Sequence, residues 1–201
     1  TYVAEATTRF GAWLDAMDYL FDAKPRLNLL LSVKSPLLEE PRGREARAIV
    51  DGFYEKEGQY PLHTVAETIF PGWHYRRFGF ERMREEYLAD FERTKTGGWG
   101  TYAQRMLARR NADGEVMNPL GALVKKMQRE VGMSRGSMRS CYEVGVAEGA
   151  YDLPLYTPTA DSGRRRGGPC LSHVSFKLYE SKVHLTAVYR SHDYRYKVLG
   201  N

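Results

Sequence analysis

The chain has 201 residues and a formal net charge of +5, with 30 lysines and arginines against 25 aspartates and glutamates. Hydrophobic residues make up 42% of it, a composition typical of a globular domain and not of a disordered segment. No apolar run approaches the ~20 residues of a bilayer-spanning helix, so we expect no membrane partner. The positive charge favours an anionic partner but does not choose among a nucleotide, a nucleic acid and other polyanions.

Cysteine and histidine are scarce in this sequence. There are two cysteines, Cys141 and Cys170, and five histidines. A secreted disulfide scaffold carries more cysteines, and the histidines lack the spacing of metal ligands. The first residues, Thr1 to Glu5, are polar and unlike a secretion signal. We therefore expect a cytoplasmic protein with free thiols and no bound metal.

The first half of the chain is predicted to be mainly helical. Apolar residues at three-and-four spacing predict helices, and proline and glycine mark their ends. The predicted elements are a helix over residues 6–22, a strand over Leu29–Val33, a loop at Pro41–Gly43, and helices over Glu45–Tyr54, His63–Phe70 and Phe78–Arg93. A further helix begins at Asn118 and Pro119, because asparagine is a favoured N-cap and proline fits the first helical position.

The second half of the chain is predicted to be mainly strands. Arg139–Val146 has strand composition, and Tyr151–Gly168, rich in Pro, Thr, Ser, Gly and Arg, predicts a long loop. Val174–Leu178 and Lys182–Tyr189 predict a β-hairpin with a tight turn near Tyr179–Ser181. The sequence shows no internal repeat and no boundary to a second domain, so residues 1–201 are expected to form a single α+β domain.

Residues with catalytic chemistry lie at the two outer ends of the predicted hairpin. Cys170 follows a Gly-Gly-Pro turn and opens the first strand, while Arg190, Ser191 and Asp193 follow the second strand. Because the outer ends of a hairpin meet, we expect these side chains to lie together. A cation beside a thiol favours the thiolate, so the pattern indicates nucleophilic catalysis. The alternative is that Cys170 is an ordinary small core residue.

These residues resemble the thymidylate synthase family and its relatives, the pyrimidine-nucleotide hydroxymethylases. The resemblance rests on Gly-Pro-Cys170, a hairpin, and an Arg-Ser-x-Asp run that begins twenty residues after the cysteine. Further matches follow the family's order over residues 60–201 and comprise Ala66-Glu67, Trp99 to Arg105, the Leu120 to Met127 helix, Ser137 to Arg139, and Asn201.

The resemblance implies a thymidylate-synthase-like α+β fold, in which helices pack on a mixed, mainly antiparallel, twisted sheet. That sheet would lie at the interface of a symmetric homodimer, and Arg139 would reach across it. Family members continue beyond the position of Asn201, so the domain of residues 1–201 is expected to lack the end of the fold.

The resemblance also implies a reaction, one-carbon transfer from 5,10-methylenetetrahydrofolate to C5 of a pyrimidine nucleotide. It assigns the nucleophile to Cys170, the proton and water network to Glu67 and Tyr102, the phosphate to Arg190, Ser191 and Arg139, the pyrimidine to Asn201, and the reduced folate to Asp193. An asparagine at position 201 favours uracil over cytosine. The residues leave open whether the product is 5-methyl or 5-hydroxymethyl.

Two other functions remain open from the sequence. One is a thymidylate-synthase-like module that binds a nucleotide or nucleic acid without catalysis. The family's Arg-Thr-Gly phosphate loop is not recognisable here, Met138 replaces one arginine of a pair, and Leu171 replaces the histidine after the nucleophile. The other is an unrelated cysteine hydrolase, for which no histidine partner is evident.

The segment from Trp73 to Phe91 is unusually long, basic and aromatic. Its early part interleaves aromatic side chains with arginines, which suits either the stacking of single-stranded bases or an amphipathic packing face. The residues concerned are Trp73, Tyr75, Phe78 and Phe80 with Arg76, Arg77 and Arg82. The packing face is favoured, and nucleic acid is not expected among the partners.

Overall fold

The computed structural model of the chain describes residues 1–21, 28–94, 100–110, 113–131, 142–147 and 169–190. The chain divides into two compact units, one built on Thr1–Ala66 and one on Glu67–Ser191. Across the described ranges, none of the helices combines the length and the apolar character that crossing a membrane requires.

The first unit begins with two parallel strands joined by a helix. Strand β1 (Tyr2–Ala6) pairs with β2 (Leu29–Val33), and helix α1 (Arg9–Phe21) lies between them in sequence. Parallel strands need a long crossover, and a helix is the usual one. The Thr8 hydroxyl caps α1 by accepting the N–H of Gly11 at 3.1 Å. The sequence predicted β2 but not β1, and the first helix accordingly begins at Arg9 and not at residue 6.

A small core joins α1 to helix α2 (Pro41–Lys56), and α3 (His63–Ile69) follows. Gly43 lies beneath Phe10, where an added Cβ would come within 3.0 Å of the Phe10 Cβ. Pro41 takes the first helical position, where its missing N–H leaves no hydrogen bond unmade. The predicted loop at Pro41–Gly43 is therefore wrong. The other core residues are Tyr54 and Leu62 with Trp13, Ala46 and Val50 against them.

The second unit places its described helices on one face of an antiparallel sheet. In chain order its elements are α4 (Gly72–Thr94), α5 (Tyr102–Leu107), β3 (Arg109–Arg110), β4 (Val116–Met117), α6 (Pro119–Glu130), β5 (Glu143–Gly145), β6 (Leu171–Tyr179) and β7 (Lys182–Tyr189). The sheet has the order β5-β6-β7, and β3 pairs only with β4 among the described strands. The α+β class is confirmed. A single mixed sheet stays a prediction, because the described strands form three separate sheets.

One core holds the helices of this unit to its sheet. Helices α4, α5 and α6 and strands β5 and β6 contribute to it, and a fully buried leucine such as Leu171 contributes about 1.5–3 kcal/mol. The buried members are Met83, Tyr87, Ala103, Met106, Leu107, Leu120, Leu123, Tyr142, Val144, Val146, Leu171 and Val174. Because α5 and the start of β6 share this core, their side chains are brought to fixed relative positions.

Two helices of this unit show features that the sequence signals. Asn118 caps α6 by accepting the Gly121 N–H at 2.9 Å, and Pro119 takes the first helical position, as predicted. Helix α4 starts earlier than predicted, at Gly72, and is kinked at Gly79, whose φ is 72°. A positive φ favours glycine because it lacks a Cβ. The predicted loop Tyr151–Gly168 lies outside the described residues.

Strands β6 and β7 form the predicted hairpin. Their pairs run from Leu171–Tyr189 to Tyr179–Lys182, with an irregularity between Leu171 and His173. Glu180 and Ser181 make the turn, with φ values of 48° and 59°. Two successive residues in the left-handed region are typical of a two-residue hairpin turn.

A polar cluster centred on Glu143 lies on the sheet face opposite the core. His173 Nε2 lies 2.6 Å from Glu143 Oε2, the Ser175 hydroxyl donates to Oε1 at 2.9 Å, and Lys177 pairs with the same oxygen. Hydrogen bonds from Lys177 and then His173 lower the pKa of Glu143 to about 2. The ionised carboxylate therefore ties β5 to β6.

We predict that the stability contributed by Glu143 depends on pH. Its pKa is lowered on folding, so the contribution is complete above about 4.5, the ordinary value, and is lost as the pH falls through about 2. Urea unfolding of Glu143→Gln should show a deficit against wild type at pH 7 that shrinks as the pH is lowered toward 2. Glu55→Gln, an exposed carboxylate in α2, is the control. A deficit independent of pH would contradict the assignment.

Candidate active site

Cys170 and Arg190 meet at the open end of the hairpin. Cys170 immediately precedes β6, and its thiol is free and half-buried. The Arg190 N–H donates to the Cys170 carbonyl at 3.0 Å, which closes the hairpin at its outer end. The expected juxtaposition of the thiol-bearing residue and the arginine is therefore present.

The guanidinium of Arg190 is anchored beside the residue that precedes the thiol. Its Nε donates to the Pro169 carbonyl at 3.0 Å, and Pro169 is buried. A long cationic side chain loses rotamer freedom when it binds a ligand. An arginine already held by the backbone has lost part of that freedom in advance, which suits the recognition of an anion next to Cys170.

Tyr102 lies against Cys170 from the helical side. Its hydroxyl oxygen accepts the Cys170 N–H at 3.2 Å. Burial raises the pKa of Tyr102; the hydrogen bond from the Cys170 N–H opposes part of this rise, and the charge of Cys170 adds to it. Tyr102 therefore remains protonated at neutral pH, and its O–H can donate toward the sulfur. The tyrosine identified from sequence as a possible network member is thus adjacent to the thiol.

A second phenol, Tyr189, borders the same place and was missed by the sequence analysis. It is the last residue of β7 and pairs with Leu171 across the hairpin. Burial raises the pKa of Tyr189 to about 12, and the charges of Tyr102 and Cys170 add to the effect. The signal was available in the sequence, since Tyr189 directly precedes Arg190 at the strand end.

Helix α5 holds Tyr102 through a hydrogen-bonded N-terminus. Thr101 caps α5 by accepting the Gln104 N–H at 3.0 Å, and its hydroxyl lies 2.5 Å from the Tyr87 hydroxyl of α4. Tyr87 is buried, and burial raises its pKa. The pair Tyr87–Thr101 therefore fixes the first turn of α5, from which Tyr102 reaches Cys170. Sequence reasoning singled out neither Tyr87 nor this contact.

Glu67 lies in α3 and contacts the start of α4. Burial is the main cause of the raised pKa of Tyr87, and the negative charge of Glu67 adds the smallest contribution to it. Both oxygens of Glu67 accept the Trp73 N–H, at 3.0 and 3.2 Å, and Arg76 lies 3.7 Å away. Glu67 thus stabilises the start of α4, where a carboxylate interacts favourably with the helix dipole. The hydrogen bonds that are present run from Tyr87 to Thr101 at the start of α5, and from the Cys170 N–H to Tyr102.

Half of the site residues suggested by the sequence lie outside the described residues. These are Arg139, Ser191, Asp193 and Asn201, together with Trp99 of the tryptophan–tyrosine–arginine stretch. The described half comprises Glu67, Tyr102, Cys170 and Arg190. Across the described ranges, His, Cys, Asp and Glu side chains form no group of three or more that could hold a metal ion.

Comparison with known proteins gives a distant similarity. No profile of a known protein family matches the chain. Over 158 residues, 79% of this chain, it is 23% identical to a protein of Methanosarcina mazei named "Putative thymidylate synthase". The comparison supports a thymidylate-synthase-like family. The aligned segment makes up 60% of that relative, so the chain spans about three-fifths of the length of the thymidylate-synthase-like protein that it matches.

We predict that Tyr102→Phe destabilises the protein and slows alkylation of Cys170. The variant removes the acceptor of the Cys170 N–H, which should reduce the free energy of unfolding by about 1 kcal/mol or more. It also removes the donor that faces the sulfur. Urea unfolding and the rate of iodoacetamide labelling at Cys170, read by mass spectrometry, provide the two measurements. Tyr60→Phe, which changes a tyrosine that is 83% exposed, should alter neither. Normal labelling with normal stability would show that the hydroxyl does not serve Cys170.

Proposed function

We propose that the chain takes part in thymidylate-synthase-like transfer of a one-carbon unit to C5 of a pyrimidine nucleotide, with uracil as the favoured base. The observation that carries the proposal is the meeting of Cys170, Tyr102 and Arg190 at one hairpin end. The similarity to the Methanosarcina mazei protein supports the same family.

The proposed chemistry begins at Cys170, because C5 of a uracil ring is a poor nucleophile. The thiolate adds to C6, and the electron pair of the C5–C6 double bond moves toward C5 and the C4 carbonyl to give an enolate. C5 then attacks the one-carbon unit. Loss of the C5 proton then expels the tetrahydrofolate nitrogen from that unit, which leaves an exocyclic methylene on C5. Hydride from the tetrahydrofolate, or water, adds to this methylene, and departure of the sulfur from C6 restores the double bond and the thiolate. The Tyr102 O–H supports the sulfur before addition and after release.

The nucleotide site is proposed to surround Arg190. With its Nε held by the Pro169 carbonyl, the guanidinium stays beside Cys170 and can bind the phosphate through charge-assisted hydrogen bonds. Ser191 and Arg139 are proposed to join it on the phosphate, and Asn201 to read the pyrimidine edge through its paired donor and acceptor. These last three assignments rest on the family resemblance.

Proton transfer is assigned to Glu67 and the co-substrate contact to Asp193. By the family resemblance, the Glu67 carboxylate would exchange protons through water with a ring carbonyl. 5,10-Methylenetetrahydrofolate would supply the one-carbon unit, and the Asp193 carboxylate would accept hydrogen bonds from its ring N–H groups. The product, 5-methyl or 5-hydroxymethyl, depends on whether hydride or water ends the reaction.

A binding module without catalysis is the second candidate. One observation favours it: both oxygens of Glu67 accept the Trp73 N–H, so the proposed proton-transfer group is also committed to a helix end. The half-buried, free thiol of Cys170 beside Arg190 and Tyr102 favours the enzyme. The two candidates share a nucleotide site and differ in whether Cys170 forms a covalent bond.

We propose that two copies of the chain assemble through the sheet of the second unit, in a cytoplasmic homodimer. The core-side face of β6 continues onto β7, where Val183 pairs with Leu178 and Leu185 with Phe176. Val183 and Leu185 are 57% and 60% exposed, an apolar area that a symmetry mate could cover. Sedimentation at micromolar concentration distinguishes a dimer from a monomer.

The covalent step predicts a specific adduct. Incubation of the protein with 5-fluoro-2′-deoxyuridine monophosphate and methylenetetrahydrofolate should give a ternary complex whose intact mass exceeds that of the protein by both ligands. The fluorine cannot leave as a proton does, so the intermediate persists on Cys170. Cys170→Ser should form no adduct yet bind the nucleotide with nearly normal affinity, because an alcohol is far less ionised than a thiol. Wild-type protein that binds the nucleotide without an adduct would favour the binding module.

The phosphate assignment predicts a selective effect of Arg190→Lys. Lysine keeps the charge but loses the planar fork, so nucleotide affinity should fall by about 1–3 kcal/mol, the scale of a hydrogen bond to a charged group. The corresponding nucleoside, which lacks phosphate, should bind the variant and the wild type alike in calorimetry. Arg93→Lys, in the last turn of α4, is the matched control. Equal losses for nucleotide and nucleoside would place the phosphate elsewhere.

A further inference from the structure

The first half of α4 presents aromatic rings to solvent. Trp73 is 48% exposed and Tyr75 is 46% exposed, while Phe78 is half-buried. The expected amphipathic packing face is therefore wrong for Trp73 and Tyr75, whose rings are not taken into the core. Several half-exposed rings on one stretch of helix, unlike the single exposed ring of Tyr60, are typical of a binding surface.

Arginines lie among these rings. The Arg77 guanidinium lies 5.3 Å from the ring centre of Trp73 and 5.5 Å from that of Phe78, and Arg82 lies 5.5 Å from Phe78. At such distances a guanidinium interacts with the ring face. We call the surface formed by Trp73, Tyr75, Arg76, Arg77, Phe78 and Arg82 the α4 platform.

The platform is positive. No acidic residue occurs from residue 70 to residue 80, and acidic residues appear only after the kink at Gly79. Arg76 approaches Glu67 at 3.7 Å and Arg82 pairs with Glu86 at 2.5 Å, with 72% and 66% of the two arginine side chains exposed. Within the described part of the chain, the contacts of Arg77 are with two rings and with no carboxylate. Among the described residues, two of the three arginines therefore form ion pairs, each with one carboxylate.

We propose that the α4 platform binds single-stranded nucleic acid, with bases stacking on Trp73 and Tyr75 and phosphates contacting the arginines. Exposed rings interleaved with cations match a strand that carries a flat face and a negative charge in every nucleotide. A duplex hides its base faces, and an apolar protein partner would leave the arginines buried without counter-ions. The proposal does not depend on the reaction assigned to Cys170.

The test is the binding of a fluorescein-labelled oligothymidylate, followed by anisotropy. Trp73→Ala should weaken binding by about tenfold or more, the scale of one lost base–ring stack. The bond from Trp73 to Glu67 comes from the backbone N–H, so this variant keeps it. Arg77→Gln should weaken binding and flatten its dependence on salt between about 50 and 200 mM.

Two matched variants control for the loss of a ring and of a charge elsewhere. Tyr60→Ala removes a ring that is 83% exposed in the first unit, and Arg93→Gln removes a cation at the other end of α4. Neither should change the binding of the oligonucleotide. If Trp73→Ala does not fold, the test uses Trp73→Phe and Arg77→Gln instead. Trp73→Phe keeps a stacking ring and should bind the oligonucleotide, whereas Arg77→Gln should bind it more weakly.

The proposal is overturned if a duplex of the same length or inorganic polyphosphate binds as tightly as the single strand, because binding would then need charge alone. It is equally overturned if Trp73→Ala binds normally. A change in sedimentation of Trp73→Ala from dimer to monomer would show that a second copy of the chain covers the platform, and would also reject it. Selective loss in Trp73→Ala and Arg77→Gln, with both control variants normal, supports it.

Discussion

The hydrogen bond from the Arg190 N–H to the Cys170 carbonyl is the contact on which the candidate site depends. It holds the two ends of a long hairpin together, and these ends carry the thiol and the cation. Neither side chain could serve the other if the strands separated at this end. Antiparallel hydrogen bonds along the full length of β6 and β7 keep the two strands, and therefore their ends, together.

The helices complete the site by supplying a hydroxyl that the hairpin lacks. Leu171 is buried against the same core as Met106 and Leu107, so the first residue of β6 and helix α5 cannot shift independently. Close packing of this kind transmits position, because a core with few voids has little room to adjust. The Tyr102 hydroxyl is therefore placed by hydrophobic contacts that are remote from the chemistry, and Tyr87 fixes the end of the helix that bears it.

Much of the local structure could be predicted from sequence because its signals are local. Asn118 followed by proline predicted the start of α6, and the apolar runs either side of Glu180 predicted the hairpin. Strand β1 was missed because five residues with one buried side chain carry almost no periodicity. The loop predicted at Gly43 was wrong for a different reason. This glycine allows helix α2 to approach Phe10 closely, and the residues next to Gly43 in the sequence do not indicate that contact.

The candidate site was predictable to the extent that it lies on the hairpin. The lengths of the two strands, which can be read from the sequence, bring Cys170 and Arg190 together. Tyr87 and Thr101 are brought together by the packing of two helices, which cannot be read from the sequence. The second role of Glu67 could not be foreseen either. Its contact with Trp73 N–H depends on the angle between two helices, and the sequence contains no measure of that angle.

The turn at Glu180 and Ser181 affects the stability of the hairpin at the end that carries no candidate site residue. Neither residue is glycine, although both adopt positive φ, and a left-handed conformation costs an ordinary residue roughly 1–2 kcal/mol. The turn lies at the far end of β6 from Cys170, roughly 30 Å away at the usual rise per residue of a strand. Residues that adopt a positive φ more readily would therefore stabilise the turn without disturbing the chemistry at Cys170. The stability gained there could offset destabilising substitutions at the site itself.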